Sequence, residues 1–343
     1  MTGRMADTTI IIPTRNRPAF FRRLLKYLSS VRCPLPILVT DSSDEQHLSE
    51  MQSVLDAYAG SLKIATIHFP PHLDFPEKIM CSLEWVETPF VTLSADDDFV
   101  RPAAIEQCAA FLSSNPDYSL AHGHAVIFNL KDSTNPYYGK INYLGMYNQS
   151  QHEDSSGLER LRRHCFQYNT TFYSTHRTSI MKQIWKEAPR TDLEFREIIP
   201  SFLSLALGKA KKLDVLYMMR QSHGGSDSRF TPDPLDWMAT KDFSEQFHRL
   251  RKVLVDCLKS ELQGTAEEQL RAVHKALYPY FAFYYGHAVG LQLVSGPHST
   301  IAQPPPPPPP DPRLQGESLL HGESPFSQDV APMIAALAHP GSA

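Results

Sequence analysis

Between residues 8 and 112 a short apolar run is followed four times by a longer segment with apolar residues at helical spacing, and this alternation constrains the fold more than any other feature of the chain. Thr8 to Pro13 is a β-branched run suited to a strand buried on both faces. Beyond Pro18, which suits a first helical turn, Phe21, Leu24, Leu25, Leu28 and Val31 form one apolar stripe. Pro36 to Thr40 reads as a second strand, and Leu48, Met51, Val54, Leu55 and Tyr58 mark a second helix. Leu62 to Phe69 is the third strand, with Phe75, Ile79, Leu83 and Val86 on its helix. Phe90 to Leu93 is the fourth, followed by Ile105, Cys108, Ala109 and Leu112. Such a pattern implies right-handed crossovers and an α/β fold: a mostly parallel sheet flanked by helices, binding ligands outside the carboxyl ends of its strands.

That rule gathers the chemistry. Thr14-Arg15-Asn16-Arg17, Asp41-Ser42-Ser43-Asp44 and Asp96-Asp97-Asp98 follow strands one, two and four, so all three polar clusters are expected on one sheet edge. Three adjacent carboxylates repel one another unless a cation lies between them. A hard divalent ion such as Mg²⁺ or Mn²⁺ suits oxygen ligands and commonly holds substrate phosphates as well. The local alternative is a solvated acidic turn. Convergence of three distant segments favours a metal-assisted phosphate or sugar-nucleotide cleft.

Composition narrows the partners. A formal charge of -4 over 343 residues argues against a mainly electrostatic nucleic-acid binder. The basic patches Arg160 to Arg163 and Lys209 to Lys212 read as solvated faces, with an anionic acceptor or membrane surface as the alternative. The five cysteines are scattered, odd in number and without CxxC spacing, which fits a reducing, cytoplasmic setting. There is no charged-then-apolar leader and no run of about 18 apolar residues, so the expectation is a protein neither exported nor anchored, with peripheral membrane association left open.

After residue 117 the pattern loosens. A strand is expected near Ser119 to Asn129, with His122 and His124 as packing residues, and then a polar loop from Lys131 to Ser156. A further strand is expected within 168–176, a helix carrying Ile199, Phe202, Leu203 and Ala206, and a last strand from Leu213 to Met219. Phe243, Phe247, Leu250 and Leu254, then Leu270, Val273, Leu277 and Phe281, mark two more helices. From Ser295 the chain turns Pro-, Gly- and Ser-rich and contains seven consecutive prolines, 304 to 310. Polyproline and disorder are expected there, with a proline-binding partner domain as one use and a short docking helix near Ala331 to Leu337. The resulting division is a catalytic domain over 1–230, a helical extension over 231–294 and a disordered Pro-rich tail over 295–343.

Ile10-Ile11-Ile12-Pro13-Thr14-Arg15-Asn16-Arg17-Pro18 resembles the opening motif of family-two-type glycosyltransferases with the GT-A fold, and the order of the three clusters matches too. The resemblance covers about residues 8 to 225. It implies a sugar transferase using a nucleotide-diphospho-sugar donor with Mn²⁺ or Mg²⁺, acting on a glycan, lipid-linked or protein acceptor in polysaccharide or glycan assembly. Pro13, Thr14, Arg15, Arg17, Asp41, Asp96 and Asp97 would then line the donor, with Asp41 at the nucleobase and Asp96 at the ribose. Asp96, Asp98 and His223 would hold the metal. Ala95 stands where relatives often carry an Asp, so the roles of Asp97 and Asp98 could be exchanged. An inverting transfer also needs a general base. The resemblance points to the acidic segment opening the helix after the acceptor-side strand, Glu194 first, then Asp192 and Glu197, although acidic residues there also suit the helix dipole. Arg177 is a further candidate for a phosphate or acceptor contact. Two other readings remain: a nucleotidyltransferase, which should carry a Gly-rich loop after strand one where this chain has Thr-Arg-Asn-Arg-Pro, and a non-catalytic scaffold with a decayed transferase domain, against which the intact carboxylates argue.

Overall fold

The computed structural model describes residues 7–132, 134–189, 191, 193–223, 234–288 and 309–338. The expected alternation is present: β1 (Thr8–Thr14), α1 (Pro18–Ser30), β2 (Ile37–Asp41), α2 (Glu45–Tyr58), β3 (Ile64–His68), α3 (Phe75–Leu83) and β4 (Phe90–Leu93) follow in order, then a two-residue β5 (Phe99–Val100) and α4 (Pro102–Ser114). Proline opens α1, α3 and α4, where its missing N–H would have had no intrahelical partner. β1 is central, with Ile10 and Ile12 packed into the core on one side of the sheet and Ile11 into the core on the other. That two-sided burial is why the run is apolar without alternation.

β6 (Tyr118–Leu130), β7 (Ile141–Tyr147), α5 (Gly157–Phe166), β8 (Thr175–Arg177), α6 (Thr178–Trp185), α7 (Leu193–Leu207) and β9 (Lys209–Gln221) complete one sheet of order β3-β2-β1-β4-β8-β6-β9-β5, with β7 on the side of β6. The β3-β2-β1-β4 half and the β6–β9 pair are parallel, and the antiparallel pairs involve β5, β7 and β8. Thr14 pairs with Asp41, so the ends of β1 and β2 are level. Leu93 pairs with Ile11, so the acidic triplet three residues later returns to the same height.

Three expectations are corrected. The polar stretch 131–156 is not one loop, because β7 pairs antiparallel with β6 and buries Leu144. Its Asn142, Tyr143 and Gly145 interrupt any apolar alternation, which hides the strand. The strand expected within 168–176 is three residues long and begins only at Thr175. The third correction concerns the tail. Residues 312–314 form a 3₁₀ turn, followed by the helices 316–320 and 327–336. They bury Leu314, Leu319, Phe326, Val330, Met333 and Leu337 in the core shared with α1, β6 and β9. Arg101 pairs with Asp329 at 2.6 Å, and Leu337 O accepts the Gly139 N–H. The helix 327–336 falls where the short docking helix was expected, while a composition averaged over 295–343 is dominated by proline and conceals the ordered turn and helix before it. Residues 289–308, with most of the polyproline run, lie outside the described residues.

On the opposite side of the sheet, α8 (Pro234–Met238), α9 (Lys241–Cys257) and α10 (Ala266–Ala288) pack with α5 and α7. Trp237, Phe243 and Leu277 share one core with Phe195, Phe202 and Val91. These helices share a core with α5 and α7. Among the described residues no helix is long and apolar enough to cross a membrane.

Candidate active site

The loop after β1 is clamped to the end of β2. Asn16 adopts φ 55°, a left-handed conformation that asparagine tolerates better than most residues. Its amide Nδ2 donates to Asp44 Oδ2 at 2.5 Å, its Oδ1 accepts the Asp44 N–H at 2.8 Å, and its own N–H donates to Ser43 Oγ. Asp41, buried at the end of β2, accepts both the N–H and the hydroxyl of Ser43. Arg15 is more than half exposed and reaches Asp44 at 3.8 Å.

The triplet is compensated by cations of the chain itself. Arg17 donates through Nη1 to Asp96 Oδ1 at 2.8 Å and through Nη2 to Asp97 Oδ2 at 2.7 Å. The Thr14 hydroxyl donates to Asp96 Oδ2 at 2.8 Å. Burial pushes the Asp96 carboxyl up while Arg17 pulls it back. Asp97 goes the other way: against its burial, hydrogen bonding with His223 and the charge of Arg17 hold its carboxyl well below the usual range. Asp98 turns towards β9. Its Oδ1 accepts the Gln221 N–H at 2.8 Å, Arg220 Nε lies 3.4 Å from Oδ2, and burial raises its affinity for a proton.

It is Asp97, not Asp98, that meets His223, with Asp97 Oδ2 2.9 Å from His223 Nε2. The His223 ring stacks on Phe20, over which Arg17 also lies. Two donors at that separation match adjacent corners of an octahedral shell with ligand distances of about 2.0–2.1 Å. Arg17 Nη2 lies 3.2 Å from the same His223 nitrogen. One imidazole nitrogen cannot both donate to Asp97 and accept from Arg17. A cation between the carboxylate oxygen and an unprotonated Nε2 would satisfy both, so the pair fits a divalent ion. Among the described residues no three His, Cys, Asp or Glu side chains form a ready-made cage. Among the described residues, Asp97 and His223 are the pair that meets this spacing.

Of the three base candidates, Asp192 lies outside the described residues and so does the side chain of Glu194. Glu197 is exposed in the first half of α7, and its Oε1 accepts from the hydroxyls of Tyr168 and Thr170, each at 3.0 Å. Arg220, stacked between the rings of Tyr147 and Tyr173, feels the charges of both Asp98 and Glu197.

Arg177 is corrected to a structural role, because its guanidinium caps the end of α4 through the carbonyls of Leu112 and Asn115. Arg160, in the patch read as a solvated face, is buried against the carbonyls of Leu205 and Ala206. Two buried cations escaped the sequence reading. Lys78 on α3 donates to Thr14 O at 3.1 Å and Ser42 Oγ at 2.9 Å, and burial pushes its ammonium down to about 8. Arg23 on α1 donates to the Asp97 and Tyr137 carbonyls, tying the triplet's backbone to the 136–137 segment, and burial lowers it to about 10. The available signal was position: Lys78 shares the inward face of its helix with Ile79 and Ser82.

Residues 9–187, just over half of the chain, match the family model described as glycosyl transferase family 2. Among solved structures, S. aureus TarS 1-349 in complex with UDP-GlcNAc aligns with a TM-score of 0.54 at 16% identity, covering 84% of this chain and 76% of that one. Another structure of TarS 1-349 gives a TM-score of 0.51 at 14% identity with the same coverage. Likeness at such identity establishes a shared fold. No curated protein matches this sequence.

Proposed function

Because the chain belongs to glycosyltransferase family 2, we propose that it transfers a sugar from a nucleotide-diphospho-sugar to an acceptor hydroxyl, with inversion, and with Mn²⁺ or Mg²⁺ held by Asp97 and His223. The observation that carries this reading is the meeting of Asp97 Oδ2, His223 Nε2 and Arg17 Nη2 within 3.2 Å of one another at the end of β4. It lies on the edge that also carries Thr14, Asp41 and Asp96. The UDP-GlcNAc bound by TarS supports a nucleotide-sugar donor for this edge.

In this reading Asp41 and Thr14 frame the nucleoside with Pro13 and Arg15, and Asp96, oriented by the Thr14 hydroxyl, accepts a ribose hydroxyl. The cation, when bound, would stabilise the diphosphate as a leaving group by Lewis-acid chemistry. Asp98 holds β9 in register through the Gln221 N–H and so fixes where His223 stands two residues later. Glu197, oriented by Tyr168 and Thr170, takes the proton of the acceptor hydroxyl as it attacks the anomeric carbon. One base and one displacement give inversion. The loop after β1 has no glycine and is closed by the Asn16 clamp, which leaves no phosphate cradle of the nucleotidyltransferase kind.

The test is a thermal-shift screen of UDP- and GDP-sugars with and without Mn²⁺. Stabilisation by a subset of donors that requires the metal and is lost in Asp97→Asn is expected. A chain that none of the donors stabilises, with or without metal, would contradict the proposal.

A further inference from the structure

The carboxylate of Asp41 is unevenly occupied. Its Oδ1 accepts both the Ser43 N–H at 2.9 Å and the Ser43 hydroxyl at 2.6 Å, which fills both lone pairs of that oxygen. Among the described residues no donor comes within hydrogen-bond distance of Oδ2, and His68 Nδ1, across the β2–β3 pairing, stands 3.6 Å away. Ser43 is itself held in place. Its Oγ accepts the Asn16 N–H at 2.8 Å, and the buried Lys78 ammonium, donating to Ser42 Oγ and Thr14 O, ties the preceding residue to the end of β1. In the order β3-β2-β1-β4, Asp41 stands two strands from the acidic triplet, about 10 Å along the sheet edge at a strand spacing of about 4.8 Å, with Thr14 and His68 paired on either side of it. With a diphosphate at the Asp97 end, that span is the reach of a nucleoside.

Each base presents a different edge to this carboxylate. Uracil N3–H and guanine N1–H offer a ring proton to Oδ2, whereas cytosine and adenine present a bare ring nitrogen that a carboxylate oxygen repels. Uracil and guanine differ in the neighbour of that N–H. With one carbonyl turned to His68, in the tautomer protonated at Nδ1, uracil places its second carbonyl on the Ser43 side, where two donors stand. Guanine places its 2-amino group there, donors against donors, beside an Oδ1 with no lone pair left. Resting on the nucleotide-sugar reading above, we propose that Ser43 is a specificity-determining residue: by saturating Asp41 Oδ1 it leaves a site with one acceptor, which takes a uridine diphosphate donor and rejects the guanosine one. A polar group left without a partner in such a site lowers affinity by about 10–100-fold.

The experiment is isothermal titration calorimetry of the full chain with UDP, GDP and CDP in Mn²⁺, for wild type and Ser43→Ala. Wild type should bind UDP about 10–100-fold tighter than GDP or CDP. Ser43→Ala frees one lone pair of Oδ1 for the guanine amino group, so the ratio of UDP to GDP affinity should narrow by about 3–10-fold while the ratio of UDP to CDP holds. A general loosening of the loop weakens all three nucleotides together and leaves both ratios unmoved. GDP or CDP binding to wild type as tightly as UDP, or an unchanged ratio of UDP to GDP in Ser43→Ala, would overturn the proposal and leave the nucleotide-sugar reading standing. If Ser43→Ala does not fold, Ser43→Cys, with a weak S–H donor, is read by the same ratio. Absence of binding by all three nucleotides to wild type would overturn both.

Discussion

Replacing Arg23 with methionine separates the role of a buried charge in stability from its role in the site. The Arg23 guanidinium is fully buried, with Nη2 2.5 Å from the Asp97 carbonyl, Nη1 3.0 Å from the Tyr137 carbonyl, and Nε without a partner among the described residues. Removing it leaves the Asp97 carbonyl unsatisfied, at a cost of about 1–3 kcal/mol, and loses a weaker bond at Tyr137, nearer the surface. Against this, desolvation lowers Arg23 from 12.5 to about 10, so holding the charge there costs the fold about 3 kcal/mol, which the apolar isostere recovers. The terms nearly cancel. Arg23→Met should therefore destabilise by about 1 kcal/mol and lower Tm by about 2–4 °C. A simple buried ion pair losing one partner would instead cost about 3–5 kcal/mol. The site should suffer more than the fold, because Arg23 is what pins the Asp97 backbone to the 136–137 segment. A displaced turn is expected to cost about 10²-fold in donor turnover. Differential scanning calorimetry and nucleotide-diphosphate release, measured on the same preparation, check both halves. A Tm drop above about 10 °C, or full turnover with an unchanged Tm, would refute the reasoning.

Glu197→Gln should lower transfer by about 10²–10⁴-fold while leaving donor affinity within about twofold, and unchanged turnover would remove Glu197 from the base role. Met333→Ala, in the helix 327–336, should cost about 2–5 kcal/mol in urea unfolding, because the side chain is fully buried; a tail independent of the fold would show no change. Acid should destabilise the protein between pH 6.5 and about 4. Burial lowers His122, His152 and His176 to about 4 and His164 well below its ordinary value, so the unfolded chain takes up protons in that window before the folded one does. Each histidine contributes up to about 1.4 kcal/mol per pH unit, and the four outweigh the opposite contributions of the raised Asp96 and Asp98. Stability is then highest above pH 6.5, and a Tm that holds level or rises from pH 6.5 to 4.5 would contradict the assignment.

The first half of the fold was legible because β1, β2 and β4 are buried on both faces and the helices on one, so period and run length carry the topology directly. Thr14, Asp41 and the acidic triplet could be placed on one edge for the same reason. The second half was less legible. β8 is three residues long, and β7 is broken by polar residues and a glycine, so neither leaves a periodic trace. In the tail, the apolar run near Ala331 to Leu337 was legible as a short docking helix, whereas the helix 316–320 and the 3₁₀ turn before it are too short to leave a periodic trace beside the proline run. Within the site, the partner of His223 could not be chosen from sequence. Which of two adjacent aspartates faces it depends on the turn after β4 and on β9 taking the Asp98 carboxylate through a backbone N–H. Lys78 and Arg23 were hidden because a cation on an inward helix face has no sequence signature apart from its position in the stripe.

The central claim is tested most directly by nucleotide-diphosphate release from a panel of UDP- and GDP-sugars, comparing wild type in Mn²⁺, wild type in EDTA, and Asp97→Asn in Mn²⁺. The account expects release with a subset of donors in Mn²⁺ alone, falling at least about 10²-fold in EDTA and in the variant. Release that is equal in EDTA and unaffected by Asp97→Asn would contradict it.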